Sequence, residues 1–347
     1  MKLRFLDTIQ QAYDKALQVE KDIGDINAVI FSDHHRGTGD RADDYRFSTK
    51  TYENALDHYY RNGAMLVLLG DVEELWENSK RNVLAYYNDI MKKEQEFDKE
   101  DRYFRIWGNH DSDWKSNKEA QKFLGLKGPV YESVRIHITD KGEDLGNLFL
   151  IHGHQGSVFS DQLARLSKFF VRFFWRFFQR IFNKPLDTPA TNSKMRSRHD
   201  LKYYTWARKH NHDLIVITGH SHEPVFNSFT YADRLRVELA RLGVKEQEGT
   251  LTREEFILLT EVRSRIDALK KHDSTFLNPE GSAVPCYFNT GCCSFSDGEI
   301  TAIEIMDREI RLVKWRRDGT KKVIQEESLQ KIFELLRLNS SLITDGI

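Results

Sequence analysis

The chain has 347 residues, of which 39% are hydrophobic and 30% charged, a composition typical of a folded globular protein rather than a disordered one. Its 52 basic and 53 acidic side chains give a formal net charge of −1, which does not favour nucleic-acid binding by bulk charge and leaves only a local basic patch open. Three cysteines are too few for a disulfide framework, and no run of 18 uncharged apolar residues occurs. We therefore expect a cytoplasmic protein without a signal peptide or a membrane-spanning helix.

Helical and strand patterns alternate through the first two thirds of the chain. Amphipathic spacing predicts helices at about 3–22, 45–61 and 75–97. Short apolar runs predict buried strands at 28–31, 65–69 and 103–107. This alternation is typical of an α/β layered fold.

The strand patterns continue to the end of the chain. They predict strands at 134–138, 147–151, 214–218, 286–289, 299–305 and 309–315. A helical pair is predicted over about 232–270 and a closing helix near 327–337. Because no repeat or low-complexity linker divides the chain, we expect one domain over residues 1–347, with helical insertions at about 157–211 and 231–272.

Polar residues that can bind a metal follow five of the predicted strands. They are Asp33, His35, Asp71, Asn109, His152, His220 and His222. Ligands gather beyond the carboxyl ends of the strands in open α/β sheets, so these turns are expected to converge on one pocket. Carboxylate, amide oxygen and imidazole together suit manganese, iron or zinc rather than a structural thiolate site. Seven ligands are too many for one tetrahedral ion and suit two ions that share a carboxylate.

These turns resemble the signature of the calcineurin-like metallophosphoesterases: D-x-H, G-D-x-x-D/E, G-N-H-D/E, a later H, and G-H-x-H. All five blocks occur in this order across residues 33–222. The resemblance implies a four-layer α/β/β/α sandwich with two divalent metal ions, manganese being favoured over iron and zinc. It implies that one metal is held by Asp33, His35 and His222. The other metal would be held by Asn109, His152 and His220, with Asp71 bridging the two.

The resemblance also implies catalytic roles for His110 and Glu74. His110 would lie beside the scissile phosphate without binding metal, and Glu74 would orient it. Two metals clamp a phosphate and lower the pKa of a water, which attacks as metal-bound hydroxide. A protonated His110 could then donate its proton to the leaving oxygen. The implied reaction is hydrolysis of a phosphate ester or pyrophosphate bond.

Several neighbouring polar residues have simpler interpretations. His34 and His154 fit no ligand position, and we expect them to be neighbours of the site. The Cys292-Cys293 pair is expected to be small and buried near a turn. Asp43 is expected to be a solvated charge. For Arg36 two interpretations remain open, a contact with a substrate phosphate and a surface role.

An aromatic stretch at residues 168–184 carries a basic residue at every fourth position. On a helix this makes a basic stripe beside Phe and Trp rings, which is typical of a helix on anionic lipid headgroups; packing on the protein's own body is the alternative. The chain here is similar to the bacterial UDP-2,3-diacylglucosamine hydrolases, which implies a lipid-linked substrate and peripheral membrane contact. Two motifs differ, because that group commonly reads G-N-R-D at 108–111 and H-G-D at 152–154.

Other functions on the same scaffold are a soluble phosphomonoesterase or phosphodiesterase and a nuclease. A nuclease would need a basic, aromatic-lined groove, for which 168–184 and 194–209 are the only concentrated basic stretches. Steeply salt-dependent binding of DNA or RNA would identify it. A non-catalytic binding scaffold is a further alternative, but such a protein should have lost metal ligands, and none is missing.

Overall fold

The computed structural model of the protein describes residues 5–155, 193–210, 213–228, 239, 242–272 and 284–344. The aromatic, basic stretch at 168–184 lies outside the described residues, as does part of the helical pair expected at 232–270. In the described ranges the chain forms two β-sheets with helices packed against them.

The strands are numbered in chain order across the two sheets. The smaller sheet, in the order β1-β6-β7-β8-β9, contains β1 (Leu17–Asp22), β6 (Ser133–Asp140), β7 (Glu143–Ile151), β8 (Leu214–Thr218) and β9 (Tyr287–Asn289). The larger sheet contains β2 (Ala28–Phe31), β3 (Met65–Leu69), β4 (Tyr103–Ile106), β5 (Val130–Tyr131), β10 (Ile300–Met306), β11 (Glu309–Trp315) and β12 (Lys321–Ser328). Its order is β12-β11-β10-β2-β3-β4-β5.

The helices are also numbered in chain order. They are α1 (Phe5–Asp14), α2 (Thr49–Arg61), α3 (Lys80–Tyr86), α4 (Asn88–Lys99), α5 (Asn117–Leu124), α6 (Ser193–His210), α7 (Arg253–His272) and α8 (Leu329–Thr344). Short 3₁₀ turns occupy Asp44–Phe47 and Ser112–Lys115.

Alternate residues of the central strands face different layers, because side chains of a strand point to opposite faces in turn. Val29 and Phe31 pack in the same cluster as Tyr52 of α2, whereas Ile30 packs in the same cluster as Leu148 of the smaller sheet. Helices α2 and α4 contact the larger sheet, and α1 and α6 contact the smaller one. The expected α/β/β/α layering is confirmed.

The single helix expected over 3–22 is wrong in its second half. Helix α1 ends at Asp14, and 17–22 form strand β1, which pairs in parallel with β6. Leu17 and Val19 are half-buried while Gln18 and Glu20 are exposed, which is the two-residue period of an edge strand. Apolar residues at 3–22 follow a helical period in α1 and a two-residue period in β1. Read as one helical pattern, the spacing therefore hides the boundary between α1 and β1.

The helix expected over 75–97 is two helices. The first, α3, begins after Ser79, whose hydroxyl accepts a hydrogen bond from the backbone N–H of Asn82. Tyr87 separates α3 from α4. A serine in this position satisfies an N–H group that would otherwise have no partner inside the helix, so it starts the helix later than the apolar spacing predicts.

The candidate turns follow the carboxyl ends of parallel neighbouring strands. Strands β2, β3 and β4 are parallel neighbours in the larger sheet, and β7 and β8 are parallel neighbours in the smaller one. Backbone hydrogen bonds link the turns within each sheet: the N–H of Asp33 donates to Gly70 (3.1 Å), and that of Gly219 to His152 (2.9 Å). The N–H of His220 donates to Oδ2 of Asp33 (2.8 Å), which joins the turns of the two sheets.

Candidate metal centre

The convergent turns bring metal-capable side chains into two adjacent groups. One group contains Asp33, His35 and His222, and the other contains Asp71, His152 and His220; within each group the candidate ligand atoms all lie within 4.8 Å of one another. A third group, His35, Asp71 and His110, meets the same criterion. Geometry by itself therefore admits His110 as a ligand as well.

Hydrogen bonds fix which ring nitrogen of two histidines faces the centre. His152 Nδ1 lies 2.8 Å from the carbonyl oxygen of Leu69, and because a carbonyl only accepts, Nδ1 carries the proton. His35 Nδ1 lies 3.1 Å from Oε2 of Glu74, which also accepts. In both rings the lone pair of Nε2 is left for a metal, which is the usual way a protein orients a histidine ligand.

Two candidate ligands each have a buried side-chain oxygen that accepts no hydrogen bond among the described residues, Oδ1 of Asp33 and Oδ1 of Asn109, although Oδ1 of Asp33 lies 3.2 Å from Nε2 of His222. A buried polar atom without a partner costs free energy unless something else satisfies it. Hard oxygen atoms of this kind, beside imidazole nitrogens, suit a divalent cation. The donor set therefore fits a metal site.

The pKa shifts of the charged groups at the centre also favour a bound cation. Burial by itself raises the pKa of Asp33 and of Asp71, but nearby imidazoles outweigh it and hold both pKa values well below their usual range. Burial lowers the pKa of His152, yet Asp71 and Asp33 together raise it to about 9. Two buried carboxylates are costly without positive charge beside them, and protonated imidazoles or bound cations can supply that charge.

Five of the seven candidate ligands have a backbone conformation that non-glycine residues seldom adopt. Positive φ angles between 50° and 67° occur at Asp33, His35, Asp71, His220 and His222. Each such residue typically costs about 1–3 kcal/mol, and clusters of them mark functional sites. The strain turns the side chains of successive residues toward one point, which a strand or helix could not do.

His110 lies next to these groups with Glu74 against it. Its Nδ1 is 2.6 Å from Oε2 of Glu74, and its backbone N–H donates to Oδ1 of Asp71 at 2.8 Å. Burial lowers the pKa of His110, but the carboxylates of Glu74 and Asp71 outweigh this and raise it. Glu74 therefore contacts both His35 and His110, and it favours a protonated ring at His110.

A family comparison identifies the class of protein that carries this arrangement. The model of the family described as calcineurin-like phosphoesterase matches residues 26–224, more than half of the chain. The chain belongs to this family. It is a metal-dependent phosphoester hydrolase, and members of the family typically bind two divalent metals. No curated protein sequence matches the chain.

Two solved structures resemble this phosphoesterase only weakly. A mutant cold-active protein tyrosine phosphatase is 11% identical, with 90% of this chain and 85% of that chain covered and a TM-score of 0.36. A predicted phosphoesterase from Streptococcus pneumoniae is 13% identical, with 86% and 97% covered and a TM-score of 0.31.

Arg36 has neither of the two roles considered for it, a contact with a substrate phosphate or a place on the surface. Its side chain is fully buried, where it forms an ion pair with Glu94 and lies over the rings of Tyr45 and Tyr52. The hydroxyl of Tyr52 also donates to Glu94 at 3.0 Å. Arg36 is therefore neither a surface residue nor a substrate contact. It is part of the packing beneath the first metal-capable turn.

The phosphoesterase also contains a buried charge network that the sequence patterns missed. Arg105 pairs with Glu73 and with Asp111, whose carboxylate accepts the backbone N–H groups of Gly108 (2.6 Å) and Val72 (3.0 Å). This network ties the turn after β3 to the turn after β4. Arg105 lies inside a predicted buried strand, and a charge in such a run was the available signal.

The other residues considered beside the candidate ligands are buried. His34 is buried between the rings of Tyr45 and Tyr52 and belongs to none of the metal-capable groups. Cys292 and Cys293 are buried, as expected. Asp43 is not a solvated charge: it is buried and accepts hydrogen bonds from the N–H of Gly39 and the hydroxyl of Tyr87.

In the described part of the chain, no helix combines the length and apolar character needed to cross a bilayer.

Replacing Gly219 by alanine is expected to damage the centre. A Cβ there would lie 2.4 Å from Oγ of Ser32 and 2.5 Å from Oδ2 of Asp33, closer than real contacts allow. We expect the free energy of unfolding to fall by about 1–3 kcal/mol, with weaker metal binding because Asp33 must move. Thermal melting with and without manganese measures both effects.

Gly243→Ala is the matched control, since a Cβ at Gly243 meets nothing within 4 Å and its backbone is not strained. Residues 242–247 are helical, so the stability should be unchanged or slightly higher, because alanine favours a helix more than glycine does. Wild-type melting and metal affinity in Gly219→Ala would contradict the predicted packing of this turn.

Proposed function

We propose that this phosphoesterase acts with two divalent ions, manganese being favoured. One ion would be held by Asp33, His35 and His222. The other would be held by Asn109, His152 and His220. Asp71 would bind both.

The observation that carries this proposal is the position of Asp71. Its Oδ2 lies 3.1 Å from Nε2 of His152 and 3.9 Å from Nε2 of His35, so it faces a histidine of each set. On the other side, Oδ1 of Asp33 is 3.2 Å from Nε2 of His222. Two ligand groups meeting at one carboxylate suit a pair of ions, as in other two-metal phosphoesterases.

Bound ions would polarise the phosphoryl oxygens and lower the pKa of the attacking water. The chain's own residues supply the remaining steps. His110, protonated beside Glu74, would donate its proton to the leaving oxygen, a contribution of typically about 10²–10⁴-fold. Asp71 would hold the backbone of His110 in place through its 2.8 Å hydrogen bond.

For the substrate we propose a lipid-linked phosphate ester or pyrophosphate such as UDP-2,3-diacylglucosamine. The support is the sequence of residues 168–184, whose basic stripe and aromatic rings suit an acylated molecule at a membrane surface. We also propose that residues 1–347 act as one domain, located in the cytoplasm with peripheral membrane contact.

A nuclease is the less favoured alternative. In the described part of the basic stretch 194–209, Lys202 and Arg208 are exposed on α6, but the aromatic rings of Tyr203 and Trp206 are buried in the core. Base stacking needs exposed rings beside the basic groups. Among the α6 side chains that the structure describes, residues 200–209, no fully exposed aromatic ring lies beside the basic groups, since Tyr204 is also partly buried against the core.

The test is a rate comparison on the manganese-loaded protein. The substrates are a soluble aryl phosphodiester, a detergent-dispersed diacyl nucleotide sugar, and a single-stranded oligonucleotide over a range of salt concentrations. We expect much faster turnover of the diacyl nucleotide sugar. Turnover of the soluble ester alone would contradict the lipid substrate, and salt-sensitive cleavage of the oligonucleotide would favour the nuclease. No turnover of any substrate would contradict the proposed chemistry.

A further inference from the structure

The indole of Trp76 lies flat against the imidazole of His110. The ring centroids are 4.1 Å apart and the ring planes differ by only 18°. His35 approaches the same imidazole edge-on, with centroids 4.7 Å apart and planes 85° apart. Two rings therefore restrict the orientation of the imidazole, one by stacking and one by its edge.

Trp76 is itself attached to the two turns that form this part of the centre. Its indole N–H donates to the backbone carbonyl of Asn109 at 2.8 Å, the residue directly before His110. Its backbone N–H donates to Oε1 of Glu74 at 3.3 Å. The indole is thus bonded to the turn that carries His110, and the backbone of Trp76 is bonded to Glu74.

These contacts restrict the orientation of the His110 imidazole. Its Nδ1 side faces Oε2 of Glu74 at 2.6 Å, and rotating the ring out of its plane would break the stack on Trp76. Nε2 is separated from Nδ1 by one ring carbon, Cε1, so with Nδ1 facing Glu74 the ring plane set by Trp76 decides where Nε2 points. Proton transfer requires a short, aligned contact between this nitrogen and the leaving oxygen.

We propose that Trp76 is a positioning residue that holds the His110 imidazole in the plane from which it protonates the leaving group. The inference rests on the proposed role of His110 as the proton donor. The step balances as a hydrolysis: the oxygen of the attacking water forms a new P–O bond while the P–O bond to the leaving group breaks, and the leaving oxygen takes the proton from Nε2. The water releases a proton to solvent, and the imidazole regains one from solvent. Trp76 exchanges no atom or electron.

The test compares substrates whose leaving groups differ in their need for a proton. A p-nitrophenyl ester leaves readily as an anion, whereas an alkyl ester of the same phosphate depends on protonation. Three variants distinguish the effect of aromatic stacking from that of side-chain volume. Trp76→Phe keeps an aromatic face, Trp76→Leu keeps apolar volume without an aromatic ring, and Trp76→Ala removes both. Metal content is measured for each manganese-loaded variant.

We expect Trp76→Leu and Trp76→Ala to lose about 10- to 100-fold in kcat on the alkyl ester, the size expected when a catalytic group is misplaced by about 1 Å. On the p-nitrophenyl ester they should stay near the wild-type rate, with metal content unchanged. Trp76→Phe should retain most of the alkyl-ester rate, because a phenyl ring can still stack.

His110→Ala separates failure of this inference from failure of the proposed function. If His110→Ala slows both esters equally, His110 does not protonate the leaving group and the proposed function is wrong at that step. If His110→Ala slows the alkyl ester selectively but Trp76→Leu does not, only the role of Trp76 is overturned. An equal loss on both esters with lowered metal content in Trp76→Leu would make Trp76 structural and would also overturn it.

Discussion

Asp71→Asn should lower kcat/KM by at least about a thousandfold, which corresponds to the several kcal/mol that metal ions supply in phosphoryl transfer. Asparagine keeps the shape of the side chain, and its Oδ1 can still accept the N–H of His110. The negative charge that faces both His152 and His35 is lost. Metal analysis should therefore show fewer bound ions per chain.

Asp89→Asn is the matched control for this charge removal. The Asp89 carboxylate lies on α4 with 86% of its side chain exposed, and it forms an ion pair with Lys92. Activity and metal content should equal those of the wild type, because exposed ion pairs contribute little. Full activity in Asp71→Asn would refute the proposed shared ligand, even if the metal content fell.

His110→Ala should separate metal binding from proton donation. We expect full metal content, because the proposed ligands stay in place. We also expect kcat on an alkyl ester to fall by about 10²–10⁴-fold, the usual contribution of a general acid. A p-nitrophenyl ester should lose far less, since its leaving group needs no proton. Metal analysis and steady-state kinetics on the two esters measure the outcome.

The metal measurement decides between two readings of the geometry. His110 also lies within reach of a metal held by His35 and Asp71. Loss of metal in His110→Ala would therefore make His110 a ligand and contradict its assignment as proton donor. His137→Ala is the control, because His137 lies on β6 with 38% of its side chain exposed and is in none of the metal-capable groups of the described residues.

The sequence predicted the strands well where a single physical signal dominated. The five-residue apolar run at 214–218 is β8 with the expected bounds, because no other element competes for so apolar a segment. It failed where two periods overlap, as at 17–22, and where a hydrogen bond starts a helix late, as at Ser79. Arg36 was misread because one sequence position does not reveal the distant Glu94.

The sequence by itself determined the fold class and the family, and it predicted a set of metal ligands, because these depend on residue types at fixed spacings along the chain. Only the tertiary structure decided which atoms face one another. The strained backbone at Asp33 and Asp71 lies in these turns, and the N–H of His220 from the smaller sheet donates to Asp33 of the larger one. The stack of Trp76 on His110 joins residues from turns after different strands. Such contacts between distant segments leave no local pattern, so the amino-acid order alone does not reveal them.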